Sequence, residues 1–250
     1  MSKSEKTDFE HALDRRVAGI LDACTACGAC VEVCPTPGIA GIGAASETVA
    51  AGVLDILRNG SAEAEAEQWA QVCCGSGFCI AACQHGINPR FMLMMARRAM
   101  KRGLPALQCR EAGKVEFKKM TRSAGIISRL QMSPDAMQRL VPSSHPERET
   151  PPELIFYTGC NMPKTPHIGM LCLDVLDRLD VHYEVYGGPA NCCGIYQMRQ
   201  GDLANGGRQL DQTIKRYADT GAPEVLSWCP TCQIQFDEAA DTKAFDTAMF

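Results

Sequence analysis

No apolar run in this 250-residue chain approaches the roughly 18–20 residues that cross a bilayer, so nothing in the sequence predicts a membrane-spanning helix. Charge of one sign is not in excess either: the formal net charge is −4, which offers no whole-protein attraction for nucleic acid. Solenoid repeats and low-complexity tracts are missing, which excludes repeat architectures and long disordered linkers. A twin-arginine export signal is also not expected, because Arg15 and Arg16 precede only "VAGIL" before Asp22 interrupts. The expected location is the cytoplasm, with membrane association only through partners. The remaining composition, 46% hydrophobic and 22% charged, is that of a globular protein.

What the chain has in abundance is cysteine, 15 residues in clusters. A reducing compartment keeps thiols free, so metal ligation is expected rather than a disulfide framework. Soft thiolate sets suit iron–sulfur clusters or zinc. Cys192 and Cys193 are adjacent and cannot pair with each other, since neighbouring α-carbons lie about 3.8 Å apart and a disulfide needs about 4.4–6.8 Å. They are either two buried small hydrophobes or two thiolates aimed at one site.

The cysteines fall in two blocks, Cys24 to Cys83 and Cys160 to Cys232, with Cys109 alone between them and Cys172 alone inside the second. The first half reads as helical: Phe9, Leu13, Val17, Ile20 and Leu21 recur at helical spacing, and "AEAEAEQWAQV" has helix-forming composition. Asn88 suits an N-cap and Pro89 the first helical position, which predicts a helix over 89–102 ending at Gly103. Breakers follow in "RLVPSSHPERETPPEL", where Pro142, Ser143, Ser144, Pro146, Pro151 and Pro152 interrupt regular structure. The second half alternates: "ELIFYTG", "VHYEVY" and "EVLSW" read as strands, "PHIGMLCLDVLDRL" and residues 202–219 as helices. Such β-α-β-α-β order predicts a parallel sheet with covering helices. The expected fold is α+β in two domains: 1–105 all-helical, 106–151 a linker and 152–250 α/β.

The most specific motif is "CTACGACVEVCP", Cys24, Cys27, Cys30 and Cys34 spaced C-x2-C-x2-C-x3-C-P. That is the bacterial ferredoxin run, whose three close thiolates wrap one cubane while the fourth cysteine reaches another cluster. A four-thiolate zinc site usually uses two separated pairs instead. The second group, "CCGSGFCIAACQHGINP", holds Cys73, Cys74, Cys79 and Cys83, with Ser76 where a middle cysteine would stand. It resembles the last cysteine group of succinate dehydrogenase and fumarate reductase iron–sulfur subunits, although Gln84 replaces the usual proline. That resemblance implies a 4Fe-4S cluster on Cys24, Cys27, Cys30 and Cys83. It implies a second centre on Cys34, Cys73 and Cys79, three-iron, or four-iron if Cys74 joins.

In the second block Cys160, Cys192, Cys193, Cys229 and Cys232 follow C-x31-C-C-G-x34-C-x2-C, which resembles the cysteine-rich CCG domain of the heterodisulfide reductase B subunit. The expected strands place all three cysteine loops at strand carboxyl ends, the edge where ligands collect in a parallel sheet. Gly187, Gly188 and Gly194 are expected to let the backbone approach an inorganic core. The resemblance implies a Rossmann-like CCG domain with a non-cubane 4Fe-4S centre on the five cysteines, Cys192 and Cys193 lying at the substrate site. Members of that family carry two such domains, and this sequence holds one complete copy.

The function these motifs imply is an oxidoreductase subunit of a heterodisulfide reductase-like complex. It would pass electrons between two ferredoxin-type clusters and a centre that makes or breaks disulfide, thiol or persulfide bonds. Its partners would be a flavoprotein or other subunits of such a complex, and its substrate a small thiol or disulfide or protein-bound sulfur. The alternative is an electron-transfer subunit of a flavin dehydrogenase complex, of the thiol:fumarate reductase, glycerol-3-phosphate dehydrogenase or glycolate oxidase type. A zinc-stabilised binding module is the third reading. Arg90, Arg97, Arg98, Lys101 and Arg102 read as a solvated helix face, the rival role being to offset anionic clusters. Met92, Met94, Met95 and Met100 read as core filler, Tyr196 and Trp228 as packing, and His85 and His167 as hydrogen-bonding or surface residues.

Overall fold

The computed structural model describes residues 8–142, 145, 149–238 and 246–249. The chain divides into two compact units. One runs through Glu111 and takes in Arg199–Ala204; the other comprises Ala112–Met198 and the chain from Asn205 on.

The first unit is helical, with α1 (Asp8–Ala23), α2 (Ala29–Glu32), α3 (Thr36–Ala40), α4 (Ser46–Asn59), α5 (Ala64–Val72), α6 (Phe78–Ala82) and α7 (Pro89–Ala99). In α1 Leu13, Val17 and Ile20 are buried as their spacing predicts, while the side chain of Phe9 lies outside the described residues. Val53 and Ile56 of α4, Trp69 of α5 and Phe91 of α7 form the core against which the short helices pack. Gly52 lets α4 and α5 touch, since a β-carbon there would stand 2.6 Å from that of Ala66. Asn88 caps α7 by accepting from the Phe91 N–H at 3.0 Å, and Pro89 opens the helix as expected.

Residues 106–151, expected as a linker, hold α8 (Ala106–Gln131) and α9 (Pro134–Leu140). The cause is amphipathic burial: Met120 and Ala124 are buried one helical turn apart, and Leu140 joins the core of the second unit. Ser133 caps α9 through the Ala136 N–H. Of the breaker residues, Ser143, Ser144 and Pro146 lie outside the described residues.

The second unit continues as β1 (Leu154–Gly159), α10 (Pro166–Arg178), β2 (Tyr183–Gly187), α11 (Ile195–Arg199), α12 (Leu203–Ala218), β3 (Glu224–Ser227), α13 (Pro230–Glu238) and β4 (Asp246–Met249). The strands pair in parallel in the order β2-β1-β3-β4. The three expected strands and their two connecting helices are present; β4 extends the sheet beyond them. Phe156 on β1 packs with Leu173, Leu176 and Cys172 of α10, so Cys172 is a core residue as its helix position predicts. Among the described residues no helix is long and apolar enough to cross a membrane.

Candidate functional site

In the second unit three loops leave the carboxyl ends of β1, β2 and β3, the edge where a parallel sheet gathers its ligands. Cys160 follows β1 directly. Cys192 and Cys193 follow β2 after a short 3-10 turn, Pro189–Asn191. Cys229 follows β3, and Cys232 lies in the first turn of α13. All but Cys229 are buried, and Cys229 is half-buried. Their sulfurs form a continuous chain of neighbours: Cys160 bonds Cys192, Cys192 bonds Cys193, and Cys232 bonds Cys229 and, at 3.4 Å, Cys193.

The thiols differ sharply in acidity. Hydrogen bonds from Cys192 and Cys232 pull the Cys193 thiol down against its burial. The bond from Cys232 likewise lowers Cys229 to about 6. The donors move the other way. Cys160 rises through its bond to Cys192 and its burial, and Cys232 through its bonds to Cys193 and Cys229. Cys192 is lowered by the bond from Cys160, but its own bond to Cys193 and its burial outweigh that and push it up to about 12. Five thiolates cannot be buried together unless a cationic core offsets their repulsion and lost hydration. Such a soft, electron-rich donor set fits an iron–sulfur core. Among the described residues no three His, Cys, Asp or Glu side chains are placed so that they could hold a single metal ion.

Residues that spacing did not reveal complete the surroundings. Met120 and Ala124 of α8 pack on Cys160 and Cys192, with Phe117 and Tyr196 at the margin. Tyr196, expected only as packing, also accepts a hydrogen bond at its hydroxyl from exposed Asn161 Nδ2 at 3.0 Å. Trp228 does pack against the core as expected. Tyr157, fully buried on β1, donates from its hydroxyl to the Asn191 carbonyl at 2.8 Å and lies 3.6 Å from Cys232 Sγ. Burial, with Cys232 next in effect, raises that hydroxyl well above the usual tyrosine range, so it stays protonated.

At each of Gly187, Gly188 and Gly194 a β-carbon would run into protein, and the Gly194 N–H also hydrogen-bonds the Cys192 sulfur. A β-carbon on Gly194, whose φ is +77°, would stand 2.2 Å from the Gly206 carbonyl oxygen of α12. On Gly187 it would meet Thr158 Oγ1 at 2.0 Å, and on Gly188 Val141 Cγ1 at 2.8 Å. These positions hold the cysteine loops down on their neighbours.

In the first unit the short helices α2 and α6 pack together and carry Cys30 and Cys79 inward. Burial, then Cys79, Cys24 and Cys27, pushes the Cys30 thiol up to about 12. Burial, then Cys73 and Cys34, pushes Cys79 up to about 11. Two groups of cysteines thus meet along a Cys30–Cys79 seam. Cys83 ends α6, and His85 beyond it is joined to Thr25 at 2.9 Å, which brings that end of the second motif beside Cys24. Trp69 donates its indole N–H to Cys34 Sγ, and Thr36 Oγ1 lies 3.2 Å from the same sulfur. Cys73 is half-buried, whereas Cys74 is exposed.

The basic run Arg90–Arg102, whose Lys101 and Arg102 lie just beyond the end of α7, is not a solvated face except at exposed Arg102. Arg90 is 7% exposed and close enough to Cys79 to favour its thiolate. Arg97 donates to the Cys73 carbonyl at 3.2 Å, and Arg98 pairs with Asp14 of α1 at 3.6 Å. Lys101 reaches the Arg199 carbonyl and Gln200, and Arg102 the Leu57 carbonyl. The acids missing from α7 itself are replaced by carbonyls, cysteines and the α1 acids Asp14 and Glu10 from elsewhere in the unit. Met92 and Met95 are buried as expected, and Met94 and Met100 half-buried. Cys109 is buried beside Gly201, and His167 is exposed.

Residues 154–237 match the family model of the CCG cysteine-rich domain, and residues 19–39 that of the 4Fe-4S binding domain. No curated protein and no solved structure matches the chain. The first match spans all five cysteines of the sheet edge and the second spans Cys24 to Cys34. This domain content supports an iron–sulfur electron-transfer role and a 4Fe-4S cluster, and the CCG match suggests a further iron–sulfur centre.

Proposed function

We propose that the protein is the iron–sulfur subunit of a cytoplasmic heterodisulfide reductase-like complex, an oxidoreductase active within that complex on a disulfide, thiol or persulfide. The observation that supports this reading is the convergence of Cys160, Cys192, Cys193, Cys229 and Cys232 from three loops onto one buried array. In this reading those five hold the non-cubane 4Fe-4S centre. Cys24, Cys27, Cys30 and Cys83 hold a ferredoxin-type 4Fe-4S cluster. Cys34, Cys73 and Cys79 hold the second, and exposed Cys74 is spare.

Such a centre, when bound, supplies the electrons at iron that, two at a time with two protons, split a disulfide into two thiols. The chain's own residues shape access. Met120, Ala124 and Phe117 keep water from the Cys160–Cys192 side, and Asn161 with Tyr196 marks the margin where a sulfur substrate enters. A flavoprotein or another subunit of the complex is the electron partner.

Anaerobic purification with iron, sulfide and EPR analysis tests the reading. Roughly eleven irons per chain are expected, from two four-iron clusters and one three-iron centre, together with a signal that Cys193→Ala abolishes. A colourless zinc protein would overturn it. Disulfide turnover with an artificial electron donor then separates this function from simple electron relay to a flavin dehydrogenase, for which no turnover is expected even with the partner present.

A further inference from the structure

Beneath the five-cysteine array lies an aromatic floor that no motif signals. Tyr157 packs edge-on against Phe236, with ring centroids 5.1 Å apart, and tilted against Tyr217 at 5.7 Å. Phe236 sits one helical turn beyond Cys232 on α13, so the helix that presents the cysteine also clamps the tyrosine ring. These two ring contacts fix where the hydroxyl lies. It reaches two parts of the site at once: the carbonyl of Asn191, immediately before Cys192, at 2.8 Å, and Cys232 Sγ at 3.6 Å.

A single hydroxyl proton serves both acceptors unequally. While Cys232 carries a proton its sulfur is a weak acceptor, and the carbonyl takes the bond. An anionic sulfur competes on different terms, because hydrogen bonds to ionised acceptors are roughly twice as strong as neutral ones. Hydrogen bonds to ligand sulfur are also among the factors that set iron–sulfur potentials.

We propose that Tyr157 is a positioning residue that donates its hydroxyl hydrogen bond to Cys232 Sγ when that sulfur is a thiolate ligand, and so raises the reduction potential of the five-cysteine centre. The inference rests on the assignment of those cysteines to an iron–sulfur centre. The sign follows from charge: reduction adds negative charge to the core and its sulfurs, and a donor aimed at one of them stabilises the reduced state more than the oxidised one. Tyr157 is well suited to the task. It is fully buried, so no water replaces the bond, and removing its oxygen leaves the ring packing intact.

The test is an EPR-monitored redox titration of the anaerobically purified full chain, with iron and sulfide measured on each sample. Tyr157→Phe is expected to keep its iron and to shift the midpoint of the five-cysteine centre downward, with altered g-values. Replacing Tyr157 by 3-fluorotyrosine, a stronger donor of the same shape, is expected to shift it upward. An unchanged midpoint and spectrum in an iron-replete Tyr157→Phe protein would overturn the proposal. If Tyr157→Phe loses the centre, the fluorinated protein decides alone, and an unmoved midpoint there overturns the proposal too. An iron-free wild-type chain refutes the cluster assignment instead, which separates the two failures.

Discussion

The indole N–H of Trp69 points at Cys34 Sγ from 3.4 Å, joining two residues 35 positions apart in the chain. Trp69 has no exposed surface, so its N–H needs an acceptor within the protein, which the Cys34 sulfur provides. Trp69→Phe removes the donor and part of the ring. The expected outcome is a loss of about 1–3 kcal/mol of stability from the vacated volume and a downward shift in the potential of the centre that Cys34 serves. Denaturant unfolding reads the first and redox titration the second.

Cys193 and Cys172 are both buried cysteines of the second unit, but Cys193 lies against another cysteine sulfur whereas Cys172 lies in the apolar core. Cys193→Ala is expected to lower the iron content by about four per chain and to abolish the atypical EPR signal. Cys172→Ala leaves the iron unchanged and costs about 1 kcal/mol of packing. Equal iron in the two variants would refute the assignment of the array.

Cys73 and Cys74 are a matched pair in sequence and opposites in placement. Cys73 is half-buried, acts on Cys79, and has its carbonyl held by Arg97; Cys74 is exposed. Cys73→Ser is expected to deplete the second first-unit centre, whereas Cys74→Ser keeps the iron content and the EPR spectrum of wild type. Iron loss in Cys74→Ser would mean that the outer thiol is the ligand.

At Gly194 a methyl group meets two obstacles, a left-handed backbone and the Gly206 carbonyl. Gly194→Ala is therefore expected to lower stability by about 2–4 kcal/mol, measured by denaturant titration. Gly41 also has positive φ but open space around it, so Gly41→Ala carries the backbone cost alone, about 1–2 kcal/mol. A Gly194→Ala protein no less stable than Gly41→Ala would show that the Gly206 contact yields easily.

Much of this architecture was legible in the sequence because its signals are local. The alternation of apolar strands and helices placed Cys160, Cys192 and Cys229 at one sheet edge, and cysteine spacing separated the two blocks. The misreadings concern relations between distant residues. A run of cations on and just beyond α7 looks solvated until α1, α4 and the Cys73 loop supply its acceptors. Tyr157, Trp69 and Met120 carry no spacing pattern that ties them to a sulfur, and only the packed chain brings them there. Helix α8 shows no apolar stripe in the sequence because its buried positions, Cys109, Gly113, Met120, Ala124 and Ser128, are mostly small or polar, while Leu107, Val115, Ile126 and Leu130 are exposed.

The two cysteine regions also differ in how much chain must be in place before they exist. Cys24 to Cys34 lie within one short stretch, so a nascent polypeptide presents those thiols together early. The sheet-edge array is different: Tyr157 touches Cys232 across 75 positions, and β3 must dock beside β1 before their loops face each other. Long-range pairings of this kind form late because the intervening loop has to close first. The sheet-edge array therefore exists only once its unit has folded, while the thiols of the Cys24–Cys34 run are close together in the chain beforehand.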